Sequence, residues 1–182
     1  MKQIDYWSLV TNELGKAVKK FMYINRHAPH GTIYPLEGLE VALIGAAFDQ
    51  DVSMAFIGDG VFQLNKGQDT ADLGMKNCAP TYGALGDYEV TKLYVEQESL
   101  DERGLELSDL MNLTWEDEEE DWAEKPSIRV VSRAQLSDLL EQQDVILNFQ
   151  YSQCCTRSIN PRSIATVYSL VWDWPKQAAI FC

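Results

Sequence analysis

Basic residues are scarce in this chain of 182 residues, where 15 lysines and arginines stand against 28 aspartates and glutamates and the formal net charge is −13. Affinity for nucleic acids comes mainly from lysine and arginine displacing condensed counterions, so we expect no direct contact with DNA or tRNA. Cysteine is scarce too, and none of the 4 cysteines forms a C-x-x-C pair. This pattern argues against a disulfide framework and against a zinc site.

Long apolar runs are also missing. The longest covers residues 41–48, whereas a helix that crosses a bilayer needs about 20 apolar residues. The first residues include Asp5 and have neither the basic start nor the apolar stretch of a secretory signal. We therefore expect a cytoplasmic protein without membrane contact, whose length suits one domain with its own hydrophobic core.

Short apolar segments alternate with segments of helical periodicity. Strands are predicted at residues 21–25, 52–57, 89–95, 128–131 and 145–149. Helices are predicted at residues 36–48, at 69–85 with a break at Pro80, from Ser99 onward with a capping box to Glu102, and at 133–142. Because parallel neighbours need crossover connections, this alternation predicts an α/β domain with a mainly parallel sheet and helices on both faces.

Ligands and partners of such a sheet gather where its strands end. That edge should hold residues 27–32, 58–62 and 96–99. His27 and His30 can act as acid and base or bind a metal, but two ligands do not complete a metal site, and we interpret them as ordering the loop or contacting another subunit. Gly58-Asp59-Gly60 is followed by apolar residues and no lysine, which favours an exposed protein interface over a phosphate site.

One segment interrupts the alternation with a high density of carboxylates: Glu116, Asp117, Glu118, Glu119, Glu120, Asp121 and Glu124. Like charges at this density favour a solvated loop. The carboxylates lack the fixed spacing of metal ligands, so we predict no metal site here.

Several short motifs follow one another in a fixed order between about residues 18 and 149. They are Ala28-Pro29-His30-Gly31-Thr32, Glu37-Gly38-Leu39, Asp59-Gly60-Val61-Phe62-Gln63-Leu64, Gly67-Gln68, Leu100-Asp101-Glu102-Arg103-Gly104-Leu105 and Asp144-Val145-Ile146-Leu147. Each motif alone is weak. The ordered set resembles the TusC/DsrF branch of the DsrE family.

The resemblance implies a flavodoxin-like (DsrE-like) three-layer domain at residues 18–149, with a five-stranded sheet. It also implies a heterohexamer with TusB-like and TusD-like subunits. That complex takes persulfide sulfur from TusA and passes it to TusE for 2-thiolation of the tRNA wobble uridine. The related DsrEFH complex serves sulfur oxidation instead, and the sequence leaves both roles open.

In the TusD-like subunit a cysteine after the third strand carries the sulfur, and the resemblance aligns that position with Glu96. A carboxylate cannot hold sulfur as a persulfide, and the charges of Glu96 and Glu98 disfavour a nearby thiolate. We therefore predict no catalytic residue at this position and a non-catalytic subunit. The alternative is that Glu96 and Glu98 are simply solvated acids at a helix start.

Cys78 is the thiol of the matched region and falls in the second predicted helix. A free cysteine is most often a small buried hydrophobe, which is our interpretation here. Two other functions stay open: a sulfurtransferase that uses Cys78, and a flavin or nucleotide module suggested by fold class alone. We expect no cofactor to bind.

The two ends of the chain lie outside the resemblance. Residues 1–17 are expected to be an upstream extension, absent from the natural product or disordered. Residues 150–182 admit codon choices that, read in a shifted frame, spell the start of a TusB-like subunit. We therefore predict a frameshift near Phe149 and a poorly ordered tail, with a genuine C-terminal extension as the alternative.

Overall fold

The computed structural model of this protein describes residues 18–117 and 120–148. The predictions for the N-terminal extension and for the C-terminal tail concern residues outside these ranges. Within them, no helix combines the length and the apolar character needed to cross a membrane.

Strands and helices alternate over most of the described chain. The strands are β1 (Lys20–Asn25), β2 (Asp51–Phe56), β3 (Lys92–Glu96), β4 (Thr114–Asp117), β5 (Ala123–Pro126), β6 (Ile128–Val131) and β7 (Val145–Asn148). The α-helices are α1 (Tyr34–Ala47), α2 (Ala79–Gly83), α3 (Gln97–Arg103) and α4 (Arg133–Glu141), and 3-10 turns cover Gly58–Leu64, Ala71–Leu73, Gly86–Tyr88 and Leu107–Asp109.

The main sheet has five parallel strands in the order β6-β3-β2-β1-β7. This confirms the predicted α/β class and the predicted positions of its strands to within a few residues. Every strand of the sheet points the same way, so the residues that follow Asn25, Phe56, Glu96 and Val131 meet at one edge. This carboxyl edge positions the candidate site.

Two apolar layers cover the faces of the sheet. On one face Tyr23 and Phe56 pack with Leu39 of α1 in the larger core cluster. On the other face Met22 and Tyr94 pack with α4 through Leu136, and Leu139 and Leu140 complete the predicted stripe. Ser132 caps α4, accepting a hydrogen bond from the backbone N–H of Gln135 at 3.3 Å.

The second predicted helix, at residues 69–85, was wrong for most of its length. Only the short α2 is α-helical there, after a 3-10 turn that ends at Gly74 with a left-handed φ of +61°. Pro80 lies in the first turn of α2, where its missing N–H costs no hydrogen bond. Proline and glycine therefore divide this segment into short turns.

The acidic segment is also more ordered than the predicted solvated loop. β4 and β5 pair in antiparallel register as a small hairpin. Glu118 and Glu119 of the acidic segment lie outside the described ranges. Lys125 explains part of this order, since its Nζ lies 2.7 Å from Asp117 and 2.8 Å from Glu120. The same ammonium group lies 5.9 Å from the centre of the Trp115 ring.

The Gly58–Leu64 turn packs inward, which corrects the expectation of an exposed apolar loop. Val61 and Leu64 have no exposed surface because they enter the larger core cluster. Gly60 makes this possible, because a Cβ at this position would lie 2.1 Å from the backbone carbonyl oxygen of Asn25. No larger residue fits between the turn and the end of β1 without a shift of the backbone.

Replacing Gly60 by alanine is therefore expected to lower the free energy of unfolding by about 1–3 kcal/mol through overpacking against backbone. Gly83→Ala is the matched control, because its new Cβ meets nothing within 4 Å and its φ is not positive. The control should be neutral or slightly stabilising. Urea denaturation of both variants measures the difference, and equal stabilities would contradict the close approach.

Candidate functional site at the carboxyl edge of the sheet

Glu96 occupies the centre of the carboxyl edge. It is the last residue of β3 and the N-cap of α3, and its residue exposure is only 6%. The helix thus begins two residues before Ser99, where the sequence had suggested a start with a capping box to Glu102. Ser99 instead donates its hydroxyl hydrogen to Glu96 Oε2.

The guanidinium group of Arg133 provides the positive charge that pairs with the buried Glu96. Its Nε donates to Glu96 Oε1 at 2.7 Å and its Nη2 donates to Oε2 at 3.4 Å. Burial by itself raises the pKa of Glu96, but the hydrogen bonds from Arg133 and Ser99, with the charges of Arg133 and Arg103, outweigh it. The net result is a pKa below the ordinary glutamate value, so the side chain is a carboxylate at neutral pH.

Glu98 binds the start of the next helix. Its two carboxylate oxygens accept the backbone N–H of Arg133 at 3.0 and 2.9 Å. A carboxylate at a helix N-terminus is favourable because it satisfies a free N–H and complements the helix dipole. Neither glutamate is therefore merely a solvated acid, and the alternative stated for them is wrong in this respect: Glu96 is buried, and both bind groups of α4.

Arg103 ties α3 to the Gly58–Leu64 turn. Its Nε and Nη2 donate to Asp59 Oδ1 at 3.0 and 2.9 Å, and its Nη1 donates to the Ser99 carbonyl at 3.0 Å. Ser99 Oγ also accepts the backbone N–H of Gly58 at 2.8 Å. The ends of β2, β3 and β6 are thus joined by one hydrogen-bond network, which we call the edge network: Gly58, Asp59, Glu96, Glu98, Ser99, Arg103 and Arg133.

Sequence reasoning missed the two arginines of the edge network. Arg103 lies within the motif Leu100–Leu105, and Arg133 is the first residue of the helix predicted at residues 133–142. Their partners are 44 and 37 residues away in sequence. The sequence signal for Arg133 was its position close to the end of a predicted strand. The pairing with Glu96 could not be predicted, because only the tertiary structure places β6 beside β3.

Cys78 lies away from the edge network, in the larger core cluster, with 8% of its surface exposed. It immediately precedes α2 and does not lie inside a helix, contrary to the prediction. Burial raises the pKa of its thiol, Lys76 opposes this, and Glu40 adds to it. A buried thiol with a raised pKa is a poor nucleophile at neutral pH, because the thiolate is the reacting form.

His27 and His30 lie in the loop after β1, at the same edge of the sheet. Both are half-buried, and the ring of His27 lies against Tyr34 with centroids 5.1 Å apart. Nε2 of His27 and Nδ1 of His30 are buried without a hydrogen-bond partner among the described residues. Within those same residues, no group of three or more His, Cys, Asp or Glu is arranged to hold a metal ion.

Gln63 is a third residue, besides the two arginines, that sequence reasoning did not single out. It is 2% exposed, donates to the His27 carbonyl at 2.7 Å and accepts the Tyr82 hydroxyl hydrogen at 2.5 Å. Burial raises the pKa of Tyr82, so this hydroxyl stays protonated and remains a donor. Gln63 therefore fixes the histidine loop to the Gly58–Leu64 turn and to α2.

Glu96→Gln should destabilise the protein by about 1–2 kcal/mol at pH 7, because the amide loses the charged hydrogen bonds while Arg133 stays partly solvated. Since folding lowers the pKa of Glu96, the stabilisation is present above the unfolded value of 4.5 and is lost as the pH falls through the folded value. The difference between wild type and variant should therefore shrink on acidification.

Chemical denaturation of both proteins between pH 7 and pH 3 measures this difference. Glu40→Gln, on the exposed side of α1, is the matched control and should follow the wild-type curve. A constant gap between wild type and Glu96→Gln at all pH values would show that the carboxylate charge does not matter.

Comparisons with known proteins identify the family of this chain. Residues 19–149 match the model of the DsrE/DsrF-like family. The "Intracellular sulfur oxidation protein DsrF" of Allochromatium vinosum is 51% identical over 136 residues, covering 75% of this chain and 100% of that protein. A "Protein TusC homolog" of Vibrio vulnificus (strain CMCP6) is 33% identical over 132 residues, covering 72% of this chain and 100% of the relative.

A solved structure adds support for the fold alone. The YchN protein of E. coli superposes with a TM-score of 0.56 at 15% identity, covering 72% of this chain and 99% of that one. The family match and the relatives confirm the resemblance drawn from the ordered motifs, and the solved structure confirms the predicted fold. The chain belongs to the DsrE/DsrF-like family, in the branch that contains DsrF and the TusC homologues.

Proposed function

We propose that this chain is a non-catalytic subunit of a sulfur-relay complex, in which TusB-like and TusD-like subunits are its partners and the sulfur is carried on a partner. The observation that supports it is the state of Glu96. The resemblance aligns this residue with the carrier cysteine, and here it is a buried carboxylate held by Arg133 and Ser99.

Sulfur transfer requires a thiolate that attacks the outer sulfur of a persulfide, so that one S–S bond breaks as another forms. Glu96 has no sulfur and its negative charge opposes a thiolate close by. Cys78 is a poor substitute, because it is buried and its pKa is raised. Among the described residues, neither Glu96 nor Cys78 favours a role as carrier, which supports a part in organising and docking.

Sulfur oxidation is the relay that sequence similarity favours. The relative named for intracellular sulfur oxidation is 51% identical across its whole length, whereas the whole-length TusC homologue is 33% identical. We place the complex in that process on this ground.

Thiolation of the tRNA wobble uridine, with sulfur passing from TusA to TusE, is the second candidate. The TusC homologues support it, because one of them is matched across 100% of its length. In either process the acidic chain is expected to contribute protein contacts and no nucleic-acid contact, given its formal net charge of −13.

The carrier proposal is tested in the co-expressed complex with glutathione persulfide as donor. The chain should elute together with its TusB-like and TusD-like subunits, and peptide mass spectrometry should find added sulfur on the TusD-like cysteine. The wild-type chain should stay unmodified at Cys78. Glu96→Cys places a thiol beside Arg133, which favours the thiolate, but position 96 is only 6% exposed, so it should gain less sulfur (about 32 Da per atom) than the TusD-like cysteine.

Ser99→Cys is the matched control, since it adds a thiol to the same network in the first turn of α3. Persulfide at Cys78 of the wild-type chain would contradict the non-catalytic role. Elution of this chain as a monomer beside an assembled pair of partners would contradict its membership of the complex.

A strain that lacks this gene separates the two processes. Loss of sulfur oxidation with unchanged 2-thiouridine is the expected result, measured by sulfate release and by nucleoside mass spectrometry of tRNA. Loss of 2-thiouridine with normal sulfate release would reject sulfur oxidation in favour of thiolation.

A further inference from the structure

An apolar groove of about 470 Å³ lies beside β6, away from the edge network. We call it the edge groove. Its apolar lining consists of Leu107, Leu110, Met111, Leu113, Pro126 and Ile128. β6 is the last strand on this side of the main sheet, so its outer edge faces no further strand of that sheet. The groove therefore opens at the side of the domain.

The floor and the rim of the edge groove differ in exposure. Leu110 is 2% exposed and belongs to the larger core cluster, whereas Leu107 is 59% exposed. Met111, Leu113 and Ile128 are half-buried against the same cluster. If another apolar surface covers Leu107 and the apolar floor, it removes their surface from water, which is favourable.

The hairpin places carboxylates beside the edge groove. Glu116 and Glu124 lie directly opposite each other on β4 and β5, and both are exposed. Because side chains alternate between the faces of a strand, Glu124 shares a face with Pro126, which lines the groove. Like charges in directly opposed positions destabilise a hairpin, so this pair opposes local folding.

These two carboxylates are not neutralised by the described part of the chain. The hairpin lysine, Lys125, is engaged with Asp117 and Glu120, and no ion pair among the described residues includes Glu116 or Glu124. Lys66 at the groove points its Nζ at the carbonyl of Ser108, at 2.8 Å. Near Leu107, Glu106 adds another exposed acid. Lys66 lines the groove and keeps its positive charge, because a carbonyl does not neutralise an ammonium group. Three exposed carboxylates, Glu106, Glu116 and Glu124, thus stand beside the groove against one ammonium group, and the charge around it is negative on balance.

We infer that the edge groove binds a basic, apolar segment of a partner protein, with aliphatic side chains against Leu107 and Ile128 and lysine or arginine beside Glu116 and Glu124. Charge complementarity selects this occupant. A nucleic acid or an anionic membrane surface is repelled by the same carboxylates. The groove lies alongside the outer edge of β6, and an extended segment can bind along such a strand edge.

The probe for this proposal is a synthetic peptide of alternating lysine and leucine, compared with a glutamate–leucine peptide and a lysine–serine peptide. Titration into the full chain, followed by methyl NMR, should shift the methyl groups of Leu107, Leu110 and Ile128 only with the lysine–leucine peptide. Raising the salt from 50 to 500 mM should weaken its binding about tenfold.

Two sets of variants separate charge from apolar contact. Glu116→Gln with Glu124→Gln should weaken binding at least about threefold and should not lower stability, because the like-charge repulsion is removed. Glu40→Gln with Asp138→Asn makes the same change of charge on α1 and α4 and should bind like wild type. Leu107→Asp, at an exposed position, should abolish binding of the peptide.

Equal binding of the glutamate–leucine peptide would overturn the proposed role of charge. Absence of shifts with every peptide, or shifts confined to methyl groups elsewhere, would overturn the site itself. Contacts between the groove methyl groups and residues 150–182 in the unbound chain would show that its own segment fills the groove, and would also overturn the proposal. None of these results bears on where sulfur is carried, so the proposed function is judged separately.

Discussion

The structure of the carboxyl edge of the sheet depends on one buried carboxylate, Glu96, which requires hydrogen-bond donors around it. Glu96 is nearly inaccessible to solvent, and a buried charge without partners would cost several kcal/mol. Arg133 and Ser99 meet this need, and through them the starts of α3 and α4 are fixed. Arg103 and the Gly58 N–H extend the same bonding to the turn after β2. One residue thus organises three strand ends.

The edge network and the edge groove proposed for docking are two separate surfaces of the domain. The edge network lies where three parallel strands end and is rich in charged hydrogen bonds. The edge groove lies beside β6 and is apolar at its floor. Of the hairpin carboxylates, Asp117 and Glu120 pair with Lys125, whereas Glu116 and Glu124 are exposed beside the groove. Charged hydrogen bonds fix the first surface, whereas the second combines an apolar floor with an excess of carboxylates.

Local patterns were sufficient for elements with one clear period. The strand at residues 128–131 and the stripe of Leu136, Leu139 and Leu140 follow directly from the sequence, because the first is rich in β-branched residues and the second repeats leucine at helical spacing. The helix predicted at residues 69–85 failed, because Gly74 and Pro80 divide that segment into turns. The prediction of a solvated loop in the acidic segment was wrong as well. It assumed that the carboxylates repel one another, whereas Lys125 pairs with Asp117 and Glu120.

The sequence by itself determined the alternation of strands and helices, the parallel sheet and the family, because apolar periodicity and ordered motifs are local properties of the chain. It also indicated that residue 96 carries no sulfur, since glutamate has none. Only the tertiary structure decided that Glu96 is buried and paired with Arg133. These residues are 37 positions apart and meet because β6 lies beside β3. The order of strands is a matter of long-range packing, and no local pattern encodes it.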